Sequence, residues 1–387
     1  MNKFFVNLLR ILILGAILWF LVSRWFGINP TILRKPSPTQ KLLDQRIQLP
    51  KGFSVSVYAD DLAGARILRM TKSGDLLVSL PHKGRIVVLK HDADGNGKPD
   101  ARYVLINGLN LPHGMDIYRG WLYIAETGSV GRIRFNNKTG LTSGEYERII
   151  TDIPSRGGHW TRTIKFGQDG LMYVSVGSSC NVCEEKYPKR AAILRYLPDG
   201  SHGEIYASGL RNTVGFDWHP ITNKLYGVDN GRDYLGDDFP PCEFNRIEQG
   251  KFYGWPYANG NRISDPDFGQ GNEQKILESM PPVYEFNAHT APLGMTFIHG
   301  ESLPLRYKNS ALVALHGSWN RSEKIGYKVV LLHFDKNGHI SEHDFMTGFE
   351  VDGDVIGRPV DIAEGQNGNI YISDDFTGTV YRVSYYQ

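Results

Sequence analysis

The sequence predicts an all-β protein, a six-bladed β-propeller preceded by an N-terminal membrane-anchor helix. Three observations predict it: a strand–loop–strand phrase that recurs six times, a turn-rich composition, and one apolar run confined to the start of the chain. The 43 glycines and 20 tyrosines among 387 residues suit many tight turns and half-buried strands. Helical periodicity is scarce beyond the N-terminus. The formal net charge is +2 and no Lys/Arg run stands out, so no nucleic-acid partner is expected.

The first element is the N-terminal segment, residues 1–28. Lys3 and Arg10 precede an unbroken apolar run from Ile11 to Val22. That length suits the core of a signal peptide, yet Ser23, Arg24, Trp25 and Phe26 make a poor cleavage site. With Arg10 snorkelling, the span extends from Phe4 to Phe26 and sets Trp19, Trp25 and Phe26 near an interface. An uncleaved anchor on the periplasmic side of a bacterial inner membrane is expected; a cleaved signal and a soluble periplasmic protein is the alternative. No cysteine follows the run, which excludes a lipoprotein anchor. Residues 29–44, with "RKPSPTQ", read as a linker, and 45–387 as the propeller.

The repeats come next. The copies are "GDLLVSLPHKGRIVVL", "GWLYIAETGSVGRIRF", "GLMYVSVGSS" with "AAILRYL", "NKLYGVDNG" with "FNRI", "SALVALHGSWN" with "YKVVLLHF", and "GNIYISDDFTGTVYRV". Anchored on Leu76, Leu122, Leu171, Leu225, Leu312 and Ile370, they recur every ~45 to 60 residues, with one gap of nearly ~90. Such a period marks propeller blades. The long gap holds an insertion, roughly 245 to 290, with "GWPYANGNRISDPDFG".

Each blade needs an innermost strand just upstream: "ARILRM", "PHGMDI", "HWTRTIKF", "LRNTVGFDW", "APLGMTF" and "GRPVDIA". Their leading positions carry Arg66, His113, His159 with Arg162, Arg211 with Asn212, His289 with Thr290, and Arg358. Inner strands begin at the mouth of the central channel, so these groups are expected to converge on one axis as a cationic funnel with few carboxylates. Arginine pairs with carboxylate or phosphate, so the expected ligand is a compact polyanion. Any one of these side chains alone suits a structural role better than a functional one.

Three cysteines remain. Cys180-Asn-Val-Cys183 is followed by Glu184 rather than the His of a haem-attachment site, and three thiols are too few for an all-cysteine zinc site. A local disulfide and a redox-active pair both satisfy the spacing; Cys242 has no assigned partner. "DADGNGKPD" has calcium-loop spacing in Asp92, Asp94, Asn96 and Asp100, but Tyr103 stands where an EF-hand needs Glu. It reads as a structural calcium loop or a plain interblade turn.

"GGHWTRTIKFGQDGLMYVSVG", "SGLRNTVGFDWHP", "FYGWP", "LHGSWNR" and "GRPVDIAEGQNGNIYISDD" occur in an order that resembles the quinoprotein sugar dehydrogenases of the soluble glucose dehydrogenase and sorbosone dehydrogenase type. The resemblance spans nearly all of 45–387. It implies a pyrroloquinoline quinone cofactor, a calcium ion, and oxidation of an aldose or sugar-derived aldehyde by hydride transfer. His159 matches the family's general base, Arg211 and Asn212 the pair at the reactive carbonyls, and Arg358 a clamp on a cofactor carboxylate. His113 falls where glucose-type members place a glutamine, and Arg162 joins the cofactor-facing set. Asn230, Gly231 and Arg232 match a segment whose backbone carbonyls bind the calcium, although glucose-type members have Pro at the position of Arg232. The family's cofactor-binding lysine has no clear match; Arg321 and Lys324 are the candidates. With no haem site in the chain, electrons must leave to a separate acceptor, a cytochrome or a quinone. Two rivals stand beside this reading: a metal-dependent lactonase using Asp116, Asp217 and Asp361, and a non-catalytic binding propeller.

Overall fold

The computed structural model describes residues 13–15, 27–31, 34–365 and 368–386. Six four-stranded antiparallel sheets follow one another along the chain. Their inner strands are Leu68–Met70, Met115–Tyr118, Ile164–Phe166, Thr213–Trp218, Pro292–Phe297 and Pro359–Glu364, which define blades 1 to 6. Five of the six second strands, among them Leu76–Leu80, Met172–Val176 and Ile370–Asp374, are buried at every residue. Neighbouring blades cover both of their faces, which is why these strands read as continuous apolar runs rather than alternating ones. The outer strands carry exposed positions, as in Arg102–Ile106 and Glu204–Ser208.

Blade 6 is built from both ends of the propeller. Phe53–Ala59 pairs antiparallel with Thr379–Tyr385, in register from Phe53 opposite Tyr385. This pairing closes the ring and removes an open edge.

The inner strands approach so closely that side chains must be absent at some positions. A Cβ on Gly215 would lie 2.3 Å from the Leu293 carbonyl oxygen, and one on Gly294 would lie 2.6 Å from that of Val360. Carboxylates fasten alternate blade junctions. Asp116 accepts Phe166 N at 2.7 Å, Asp217 accepts Phe297 N at 3.0 Å, and Asp361 accepts Leu68 N at 2.8 Å. Blades 2 and 3, 4 and 5, and 6 and 1 are thereby linked.

The expected insertion lies between the third and fourth strands of blade 4, Cys242–Ile247 and Tyr284–Phe286. It forms a hairpin, Ala258–Asn259 with Ile263–Ser264, and a short helix, Glu273–Glu278. The expected linker is partly structured, because Gln40–Arg46 is a helix capped by Thr39 whose Leu43 is fully buried beside Phe345 and Phe349. Most of the expected anchor lies outside the described residues; among those described, no helix is long and apolar enough to cross a membrane.

Candidate active site

The loops that lead into the inner strands gather at one end of the channel. In blade 3, Gly157 has φ +119°, and a Cβ there would meet Ser179 Cα at 2.7 Å. This close passage brings His159 against the loop that follows the second strand of the same blade. His159 Nδ1 is 2.9 Å from both the carbonyl oxygen and Oγ of Ser178. A carbonyl only accepts, and Ser178 Oγ itself donates to Cys180 O at 2.7 Å. Nδ1 therefore carries the hydrogen, and in the neutral ring Nε2 keeps its lone pair. Burial, assisted by the Arg211 charge, pushes the His159 pKa down to about 3, so the ring is neutral across the ordinary pH range.

His159 lines a cavity of 170 Å³ together with Arg211, Asn212, Asn230, Gly231, Asp233 and Trp319. Arg211 is buried and held from behind. Its Nε donates to Asn181 O at 2.9 Å, Nη2 to Asn181 Oδ1 at 2.9 Å, and Nη1 to Asn230 O at 3.0 Å, with Asp233 at 3.6 Å. Asn181 also takes Asp233 N on Oδ1 at 2.8 Å and donates to Asp233 O at 3.1 Å. It sits inside the loop closed by a Cys180–Cys183 disulfide, the simpler of the two expectations for that pair. Cys242 is a free, buried thiol in the cavity wall.

Of the expected site residues, His159, Arg211, Asn212, Asn230 and Gly231 share this cavity. The side chain of Asn230 is occupied with Asn212 O at 3.2 Å and Pro292 O at 2.9 Å, tying blade 4 to blade 5. Gly231 passes so near the Pro241 carbonyl, 2.6 Å from a would-be Cβ, that no side chain is tolerated.

The other expected site residues have partners of their own. Arg162 does not face the cavity. Its guanidinium is fully buried and donates to the carbonyls of His159, Thr161 and Pro154 at 2.9, 2.6 and 2.7 Å, bracing the loop from beneath. His113 is likewise fully buried, with Nδ1 3.1 Å from Arg162 O and its ring edge-on to Trp160; burial and Arg66 hold its pKa well below the usual value. Arg321 turns outward to Asp238 at 3.0 Å and to the Asp237 carbonyl, and Lys324 binds Asn29. The Arg232 side chain, as distinct from the backbone carbonyl expected to bind calcium, is drawn into the insertion: Nη1 meets both oxygens of Asp265 at 2.8 Å and Nη2 meets Asp267 at 2.8 Å. Its charge is spent inside the insertion, which removes the conflict of a second cation beside Gly231.

Arg358 lies apart, donating to His316 O and Gly317 O at 3.1 and 2.8 Å, in a cluster where Asp375 pairs with Arg66 and His316, both at 2.8 Å. Nor is the mouth poor in carboxylates. Asp233, Asp265 and Asp375 accompany Arg211, Arg232 and Arg66 from distant loops.

Asp116, Asp217 and Asp361 line a separate cavity toward the other end of the inner strands, where Arg69 and Lys165 pair with the first two at 2.6 and 3.3 Å. Their blade-linking role leaves them remote from His159. In "DADGNGKPD", carboxylate oxygens of Asp92, Asp94 and Asp100 lie within 4.8 Å of one another. Asn96 donates to Asp94, Asp92 pairs with Arg382 at 2.7 Å, and Asp92 Oδ1 is buried with no partner among the described residues.

Residues 47–386 match the TrAA12-like family model. The chain belongs to the TrAA12-like family. An uncharacterized protein of Borreliella burgdorferi is 33% identical over 383 residues, covering 94% of this chain and 98% of that one. A pyrroloquinoline quinone-dependent pyranose dehydrogenase of Coprinopsis cinerea is 26% identical over 87% of this TrAA12-like chain, which spans 54% of that relative's length. The solved quinone domain of the Coprinopsis protein superposes with a TM-score of 0.76 at 22% identity, covering 90% of this chain and 98% of that one. An apo aldose sugar dehydrogenase of Escherichia coli superposes at 0.66 and 17% identity, covering 86% and 99%. These likenesses show the same propeller fold in each.

Proposed function

We propose that this TrAA12-like protein is a quinoprotein oxidoreductase that oxidises a pyranose or related aldose. The cofactors proposed are pyrroloquinoline quinone and calcium. The reading draws support from the curated pyranose dehydrogenase relative and from the donor set of the cavity. Arg211 and the Asn212 side chain supply donors for quinone oxygens, and the backbone at Gly231 supplies the oxygen ligands that calcium prefers. Held there, the quinone would supply a two-electron hydride acceptor and calcium would supply a Lewis acid.

The single observation that carries the reading is the tautomer of His159. With Nδ1–H fixed on the Ser178 carbonyl, Nε2 is an acceptor in the same cavity as the Arg211 cation. His159 takes the proton from the sugar hydroxyl at Nε2 as hydride leaves the adjoining carbon. Arg211 stabilises negative charge that develops beside it, and its burial strengthens that effect. Electrons then pass to a separate acceptor, a cytochrome or a membrane quinone. The apolar segment Ile11–Val22 is proposed to anchor the chain at the periplasmic face of a bacterial inner membrane.

Titrating quinone into calcium-loaded apoprotein tests the reading. Saturable, dye-linked oxidation of at least one aldose is expected. Absence of quinone binding by calorimetry, together with no activity on sugars or aldehydes, would overturn it.

A further inference from the structure

The chain that follows the apolar segment is fastened to the mouth of the candidate site. Ile28 bridges Asn320, and Asn29 N donates to Trp319 O at 2.8 Å. Asn29 Nδ2 donates to Ser322 O at 3.1 Å, and Lys324 Nζ donates back to Asn29 O at 2.6 Å. Thr31 Oγ1 lies 3.1 Å from the Tyr327 hydroxyl. All of these partners belong to the loop between Ser310–Leu315 and Lys328–Phe334 of blade 5. Trp319 of that loop lines the cavity that holds His159.

Gly27 lies only five residue steps beyond Val22, the end of the apolar run. Fully extended, they reach about 18 Å. A bilayer holding that run therefore lies close to the mouth and far from the opposite end of the propeller. Among the described residues, three of the four exposed aromatics agree with this placement; the fourth, Tyr386, stands at the opposite end, past Thr379–Tyr385. Tyr187, Tyr234 and Trp319 are 57%, 54% and 38% exposed and stand on loops at the mouth end, with Tyr234 edge-on to Trp319. Exposed Trp and Tyr are the residue types that settle at membrane–water interfaces. At the other end, Ile221 and Leu305 are exposed aliphatics on turns after inner strands.

We propose that the mouth of the candidate site faces a lipid bilayer, with Tyr187, Tyr234 and Trp319 as the contact surface. The inference rests on the membrane-anchor reading above. Access to His159 then runs along the membrane surface rather than from open solvent.

The test uses the full chain with an environment-sensitive fluorophore at Tyr234→Cys, Tyr187→Cys or Ile221→Cys, reconstituted in phosphatidylcholine vesicles. Labelling is selective, because Cys180 and Cys183 are bridged and Cys242 is buried. Co-flotation with vesicles reports the anchor, and quenching by headgroup-labelled nitroxide lipid reports orientation. The expected result is flotation, with labels at 187 and 234 quenched at least threefold more than the label at 221. A chain that does not float overturns the anchor reading and this inference with it. A chain that floats but shows equal quenching at all three sites, or more at 221, keeps the anchor and overturns the orientation.

Discussion

Asn181 receives Arg211 on two atoms at once: Nε meets its carbonyl oxygen and Nη2 its side-chain oxygen, both at 2.9 Å. The asparagine sits within the disulfide loop, so a four-residue ring positions the buried cation of the site. Asn181→Ala deletes the Oδ1 contacts to Arg211 and to Asp233 N. Hydrogen bonds to charged groups contribute about 1.5–3 kcal/mol, so quinone affinity is expected to fall roughly ten- to a hundredfold. Asn181→Asp keeps the acceptor and should restore most of it. Calorimetric titration of quinone into both variants checks this; unchanged affinity in Asn181→Ala would show that Arg211 holds its place without the loop.

His159→Gln should lower turnover by roughly 10² to 10⁴, the usual contribution of a positioned base, while quinone binding survives. A loss of thermal stability with near-normal turnover would instead assign His159 to bracing the loop.

The pH dependence follows from burial. The free-protein pKa of His159 is depressed to about 3, below its unfolded value of 6.5. The neutral ring that the proposed base role needs is therefore present above the unfolded value, persists below it, and is lost only as pH falls through the depressed one. The ring resonance of His159 in the apoprotein should not titrate between pH 5 and 8 by NMR. A midpoint near 6.5 would mean that solvent and counter-charge reach the ring freely.

Arg232 and Asp265 form a buried pair in which Nη1 meets both carboxylate oxygens, whereas Asp267 is more than half exposed and adds little. Arg232→Met leaves Asp265 buried without its cation and should destabilise the fold by about 3–5 kcal/mol. The double variant Arg232→Met with Asp265→Leu should recover most of that loss. Denaturant unfolding measures both; equal instability of the single and double variants would argue against the pair as the cause.

The Asp92–Asp100 loop presents three carboxylates within reach of one ion. If calcium binds there, adding it to chelated, quinone-free protein should raise the melting temperature, by an amount equivalent to about 2.7 kcal/mol at a hundred times Kd. The Asp94→Asn, Asp100→Asn variant should lose that response. An unchanged response would place the ion elsewhere and leave the loop an interblade turn.

The blades were legible because each second strand is covered on both faces and so carries an uninterrupted apolar phrase at a steady interval. The insertion showed itself by lengthening one interval, though not by its hairpin and helix. His159, Arg211 and Asn212 were legible because they stand at strand entrances within long matching motifs. Position at a strand entrance does not tell which way a side chain turns. Arg162 and His113 occupy such entrances and fold beneath the loop onto carbonyl oxygens. Backbone acceptors leave no mark on composition, so the roles of Ser178 and Asn181 could not be read either. The same holds for Asp375 and Asp265, whose partners Arg66 and Arg232 lie 309 and 33 residues away in the chain.

Ring closure by Phe53–Ala59 and Thr379–Tyr385 sets an order of events during synthesis. The first propeller strand to emerge, "FSVSVYA", is rich in β-branched and aromatic residues and carries no charge. It must wait, with a free edge, for nearly the entire remainder of the chain before its partner exists. Until then it is a template for pairing with other nascent chains. A chain that lacks Thr379–Tyr385 leaves that edge open, so the propeller's last strand is the one that hides its first.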